Sequence, residues 1–270
     1  MKYFFLYVVF LSSCSILKGP EVKFSSTQKL GKEEDYFLNA WKPVFLTLDS
    51  EIKKLPDFPR LNSESFKREK MYLLSIERSR TFEDEKVIEF QKHVCGFYFD
   101  GFRIGFNLQL DELLMDAYMD ARLFGFQAKK HFDRARPSYV IRDIKKSIRN
   151  PDHASYPSNH SIQAVLMAYI LSDVFPMRKS RIISSAKNIA RNRELAGVHF
   201  PSDSDLGISM ASIVYEKLKD NSDFSARLKK IQLNSQQLVL RKVEFSKLDY
   251  DVCKKYTNSY AIRSQVWKQN

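Results

Sequence analysis

Glycine is scarce in this chain of 270 residues. Eight glycines, against abundant Leu, Lys, Glu, Ala and Arg, argue against a sheet protein punctuated by glycine turns and for helices. Cysteine is nearly as rare, with three residues. Cys95 and Cys253 show no zinc-like spacing, because His93 and Cys95 lack a second ligand pair nearby, and sequence leaves open whether the two thiols meet. Internal repeats and low-complexity blocks are absent. The chain also lacks a long basic block or a nucleic-acid motif, although its formal net charge is +12. That charge is read as solubility charge that also attracts anions, not as a nucleic-acid footprint.

Long apolar runs are missing too; the two short ones are residues 3–11 and 164–171, the latter in a compact apolar helix suited to a buried core. Lys2 precedes an apolar and aromatic run over residues 3–11, which is too short to span a bilayer as a helix. Ser12, Ser13 and Cys14 follow, completing the pattern of a charged start, an apolar stretch and a small-residue cleavage site. Leu11-Ser12-Ser13-Cys14 also resembles a bacterial lipobox, in which the cysteine is lipidated and becomes the mature N-terminus; an ordinary signal peptide or a buried strand are the other readings. The chain is therefore expected to be exported to a bacterial periplasm or cell envelope and held at a membrane through Cys14 alone. Residues 1–13 would be the signal peptide, 14–32 a polar tether, 33–230 the main domain and 231–270 a charged extension without assigned role.

The rest is an ordinary globular composition, 44% hydrophobic and 28% charged, and reads as one all-α domain with tails. A helix-rich stretch over 33–58 ends at Pro56 and Pro59, and 63–94 is helical with an interruption near Thr81. Leu110, Leu113, Ala117, Ala121, Phe124 and Ala128 recur at three- and four-residue steps and predict an amphipathic helix over 108–128. Pro137 is expected to stop that pattern. Residues 150–157 form a loop, and helices follow over 161–174, 179–195 and 201–219, with Pro201 in a first turn.

Three short segments carry chemistry. Lys129 is followed, seven residues on, by Arg136-Pro137; Tyr156-Pro157-Ser158-Asn159-His160-Ser161 comes next; the third places Arg193, His199 and Asp203 six and four residues apart. Taken singly, each has a plain structural reading. Lys129 beside Lys130 suits a solvated helix end, Ser158 suits an N-cap, and His199 with Asp203 suits a local hydrogen bond.

Taken in order and with this spacing, they resemble the three-part signature of the type 2 phosphatidic acid phosphatase superfamily. That group includes the vanadium haloperoxidases and the class A bacterial non-specific acid phosphatases. Likeness to the latter extends over about residues 54–230 and is strongest at Ser155-Tyr156-Pro157-Ser158 and at Val198 to Asp203. The resemblance implies a helical bundle of the haloperoxidase type and an acid phosphatase that hydrolyses small phosphomonoesters. It assigns His199 as nucleophile, Asp203 as the carboxylate orienting it, and His160 as general acid and then base. Lys129, Arg136 and Arg193, with Ser158 and Asn159 at a helix start, would bind the phosphate.

Physical reasoning supports that division. A transferring phosphoryl group spreads charge over three oxygens, so two bidentate arginines, a lysine and a helix N-terminus suffice without a metal or cofactor. Two departures stand out. Asn159 replaces a usual glycine and keeps its backbone N–H, while whether its side chain crowds the phosphate pocket is left open; Asn192 replaces a usual serine but keeps a donor. His93, His131 and His153 are read as exposed or satisfied, with substrate contact the lesser alternative for His153, in the loop before the second segment. A lipid-phosphate phosphatase at a membrane surface, a vanadate-dependent haloperoxidase and an inactive anchored lipoprotein are the competing readings. Self-association is left open.

Overall fold

The computed structural model describes residues 22–26, 29–46, 49–100 and 107–235, apart from the side chains of Glu33, Tyr36, Asp49 and Cys95. The expected signal peptide, Cys14, most of the tether, and the extension beyond residue 235 lie outside the described residues. So does any pairing of Cys95 with Cys253.

The described chain is helical, as its composition predicts. The helices are α1 Lys32–Ala40, α2 Asp49–Ile52, α3 Glu64–Ser79, α4 Phe82–Phe90, α5 Leu108–Phe132, α6 Pro137–Val140, α7 Asn159–Val174, α8 Lys179–Leu195, α9 Pro201–Asp220 and α10 Ser222–Leu233. Among the described residues the sole β pairing is one isolated bridge, Lys23 with Arg134. No helix there is long and apolar enough to cross a membrane.

Local chemistry sets the boundaries. Ser63 caps α3 by accepting from the Phe66 N–H, and the break near residue 81 is a capping box in which Thr81 and Asp84 satisfy each other. Asn107 caps α5, which continues four residues beyond its apolar stripe. Lys129, Lys130 and His131 fill its last turn, where cations complement the helix dipole, and Asp133 ends it in the left-handed region at φ 51°. Pro137 therefore does not stop a helix as expected. It opens α6, at a position where the missing N–H costs nothing.

α7 is the central element and is buried along almost its whole length. It packs against α5, α8 and α9. Leu113, Ala117 and Phe124 of α5, Leu166 and Ile170 of α7, Ile189 of α8 and Val214 of α9 share one core. Each large apolar side chain buried there contributes roughly 1.5–3 kcal/mol. Two glycines let the helices approach closely. A Cβ at Gly207 would lie 2.7 Å from the Ser158 carbonyl oxygen, and one at Gly125 would lie 2.0 Å from Asn159 Oδ1. These contacts draw α9 and α5 onto the start of α7, where the three motif segments meet.

Candidate active site

Each motif side chain sits at a helix end. Lys129 is in the last turn of α5, Arg136 just before α6, Ser158 and Asn159 at the start of α7, Arg193 in the last turn of α8, and Asp203 in the first turn of α9. His199 lies in the short connection between α8 and α9. Helix ends converge on this region because α7 fixes all three neighbours against itself.

His199 is 2% exposed and its Nδ1 lies 3.0 Å from Asp203 Oδ2. A carboxylate only accepts, so the proton of the neutral ring sits on Nδ1. Nε2 is left as the basic nitrogen, and it faces Arg136 Nη1 at 3.3 Å. Burial, then Arg136, push the His199 pKa down to about 3, outweighing the pull of Asp203. Asp203 is itself heavily partnered. Burial alone would raise its pKa, but Arg134, then His199 and Ser155, hold the carboxyl well below the usual carboxylate range.

Two buried cations, Arg136 and Lys129, act on the imidazole, and a third, Arg193, acts on His160. Arg136 donates through Nε to the His153 carbonyl at 3.1 Å and through Nη1 to the Val198 carbonyl at 2.7 Å. Its Nη2 lies 3.0 Å from His153 Nδ1. Lys129 Nζ donates to the carbonyls of Ala154 and Ser155 at 2.7 and 2.9 Å. Arg193 donates through Nη2 to the Ile88 carbonyl at 3.0 Å, while its Nε is buried without a partner. Burial lowers all three cations: the arginines to about 10, and Lys129, with Arg136 adding to the effect, well below its ordinary value. An anion placed among them would relieve that cost.

His160 stands on the Arg193 side. Its Nε2 lies 3.1 Å from the Gln91 carbonyl and 3.3 Å from that of Lys92, so the neutral ring carries its proton there. Burial first, then the charges of Arg193 and His199, push its pKa well below the ordinary value. A dianion beside it would favour the protonated ring, which is the form able to donate to a leaving group.

The structure places Lys129, Arg136 and Asp203 about His199, with Arg193 beside His160; Ser158 and Asn159 form the start of α7, and Cys14 lies outside the described residues. At Asn159 the structure decides between the open alternatives. Its Nδ2 reaches toward the Arg122 carbonyl at 3.5 Å and its Oδ1 abuts Gly125, so the side chain points into α5 and does not crowd the cations. Ser158 acts as a cap, its Oγ accepting from the Ser161 N–H, and its own N–H donates to the Asp203 carbonyl at 2.9 Å. Asn192 spends its amide on Gln91 Oε1 at 2.8 Å, bracing the residue whose carbonyl holds His160. His153 touches Arg136, with Glu34 Oε1 3.9 Å from its Nε2.

The sequence assigns no role to Arg134, Glu69, Ser155 or Gln91. Arg134, two residues before Arg136, carried a signal: a second arginine inside a phosphate-binding segment. Beside this cluster a cavity of about 370 Å³ is lined in part by Lys129, His153, Phe126, Phe24 and Leu30. Among the described residues no group of three His, Cys, Asp or Glu side chains is placed to hold a metal.

Comparison with known proteins follows the same residues. The PAP2 superfamily model matches residues 113–218, from α5 into α9. The chain is 28% identical over 131 residues to the non-specific acid phosphatase of Salmonella typhimurium, covering 46% of this chain and 52% of that protein. It is 27% identical over 127 residues to that of Providencia stuartii, covering 45% and 51%. The chain thus spans about half the length of the curated relatives it matches. In fold it is similar to the crystal structure of a bacterial vanadium-dependent iodoperoxidase, with TM-score 0.58, 15% identity and coverage of 77% and 63% of the two chains. A holo-type bacterial vanadium-dependent chloroperoxidase gives TM-score 0.54 and 13% identity, covering 76% of this chain and 56% of that one. These likenesses establish the helical haloperoxidase-type fold.

Proposed function

We propose that the chain is a metal-independent phosphatase that hydrolyses small phosphomonoesters through a phosphohistidine formed on His199. The observation that carries this reading is a set of three buried cations, Arg136 and Lys129 beside the neutral His199 imidazole and Arg193 beside His160, with Arg193 Nε left unpaired. A phosphate dianion satisfies both the charge and the missing hydrogen bond. The match to acid phosphatases supports the same reading.

In this mechanism Arg136, Arg193 and Lys129 bind the non-bridging oxygens, together with backbone N–H groups at the start of α7. His199 Nε2 attacks phosphorus as Arg136 turns its donor from the ring to the phosphate. Asp203 fixes the tautomer and stabilises the positive ring that forms. His160, protonated once the dianion is bound, gives its proton to the leaving alkoxide. It then takes one from the water that opens the phosphohistidine, returning His199 to its neutral form.

We infer further that the protein is exported and anchored through Cys14, on the strength of the leader-like residues 1–14. Cys14→Ser would then release it from the membrane fraction, and unchanged fractionation would contradict the anchor. For the chemistry, the test is hydrolysis of an aryl phosphate in excess chelator by the wild-type chain and by His199→Ala. Turnover that survives chelation and vanishes in the variant is expected. Equal rates in the two proteins would rule out the phosphohistidine.

A further inference from the structure

We propose that Arg134 is a positioning residue for the His199–Asp203 pair, working with Glu69 as a clamp that holds the carboxylate against the imidazole. This inference rests on the reading of His199 as nucleophile and extends it to residues the motif does not contain.

Arg134 is 3% exposed, and both ends of its guanidinium are committed. Nη1 donates to Asp203 Oδ1 at 2.6 Å and to Ser202 Oγ at 2.8 Å; Nη2 donates to Glu69 Oε2 at 2.9 Å. The other oxygen of Glu69 accepts from the Ser202 N–H at 2.8 Å. Glu69, on α3, therefore grips the first turn of α9 twice, once directly and once through Arg134. The main chain of Arg134 closes a second circuit. Its carbonyl accepts from the Ser155 N–H at 2.8 Å, and the Ser155 hydroxyl donates to Asp203 Oδ2. One residue thus governs both oxygens of the orienting carboxylate, Oδ1 by its side chain and Oδ2 through Ser155.

The guanidinium is also stacked. Its carbon lies 3.8 Å from the centroid of the Phe200 ring and 4.9 Å from that of Phe58. A lysine supplies charge but neither the two-ended fork nor a plane to stack. Glu69 lies outside residues 113–218, so this clamp ties α3 to a site whose motif residues all lie between α5 and α9.

Charge gives the clamp a measurable signature. The His199–Asp203 pair faces Arg134, Arg136, Lys129, His153, His160, Tyr156 and, behind Arg134, Glu69. Removing the charge of Arg134 makes Asp203 easier to protonate. While Asp203 stays ionised, its unshared charge makes His199 easier to protonate instead. Either route inactivates the pair at a higher pH, so the acid limb of kcat/KM moves up. Removing the charge of Glu69 leaves Arg134 wholly to Asp203 and moves the limb down.

The experiment compares Arg134→Gln, Arg134→Lys and Glu69→Gln with wild type in the full chain. It reads kcat, KM, the pH profile of kcat/KM on an aryl phosphate, and Tm. Arg134→Gln is expected to lower kcat about 10- to 100-fold with KM changed only a few-fold. Its acid limb should rise by about one unit. Arg134→Lys should bring the limb back toward wild type while recovering only part of kcat, and Glu69→Gln should shift the limb slightly down. A fall in Tm with an unmoved pH profile in Arg134→Gln, in a wild type whose activity depends on His199, would overturn the clamp alone. If Arg134→Gln does not fold, Glu69→Gln decides, and an unshifted limb there overturns the proposal. Absence of His199-dependent hydrolysis in wild type would remove the mechanistic reading, and the clamp with it.

Discussion

The two arginines proposed to hold phosphate are built differently. Arg136 is fixed before any ligand arrives, with donors on the carbonyls of His153, Ala154 and Val198 and contacts to two histidine rings. Arg193 has one carbonyl, that of Ile88, and an unpaired buried Nε. The difference teaches that one side of the site is a rigid wall that sets the geometry of His199. The other is an under-satisfied cation whose hydrogen bonding the proposed anion would complete. Buried donors without partners are costly, so the Arg193 side stores a demand for ligand that the Arg136 side lacks.

The largest expected effects are on turnover. Arg136→Ala and Arg193→Ala should each reduce kcat/KM on an aryl phosphate by roughly 100-fold or more, about 3 kcal/mol of transition-state stabilisation. Ligand-free stability should separate them. Arg136→Ala leaves several buried carbonyls without a donor and should lower Tm, whereas Arg193→Ala removes an incompletely bonded buried cation and should leave Tm level or raise it. Equal losses of Tm in thermal unfolding without phosphate would erase the contrast between the two arginines.

A smaller effect concerns pH. His153, His160 and His199 all have folded-state pKa values pushed down, foremost by burial. Below the ordinary value of about 6.5 the unfolded chain binds protons that the folded chain refuses, so stability falls as pH drops from there. Burial raises Glu194 to about 7 and Asp120 to about 6, and these two act in the opposite direction. His153 stands on the rigid Arg136 side, so His153→Gln should show a shallower fall of Tm between pH 7 and pH 4 than wild type. Parallel Tm profiles would mean that this ring does not titrate on unfolding.

The smallest effect is expected at Asn159. Because its side chain enters α5 beside Gly125, Asn159→Gly should change kcat/KM only a few-fold, with a stability cost of about 1 kcal/mol from the added backbone freedom. A large gain in rate would mean that the amide does obstruct the anion after all.

Much of this site was legible in the sequence because its spacings are local. Ser158 as a cap, Asp203 one helical turn from His199, and the break at Thr81 depend on neighbours within four residues. What sequence missed depends on tertiary contact. Arg134 acquires its role from Glu69, 65 positions away, and from Asp203, 69 away. The direction of the Asn159 side chain is decided by Gly125 on another helix, and no pattern around residue 159 records that space. The end of α5 was misplaced for a different reason: an aspartate in the left-handed region does the work that a glycine would have advertised.

The most direct measurement is rapid acid-free quenching of the wild-type chain during turnover of an aryl phosphate, followed by mass-spectrometric location of the phosphoryl group. Phosphate attached to the imidazole of His199, formed and lost at rates that match turnover, is the predicted result. A phosphoryl group on any other side chain, or steady hydrolysis with no phosphorylated His199 at any time, would contradict the account.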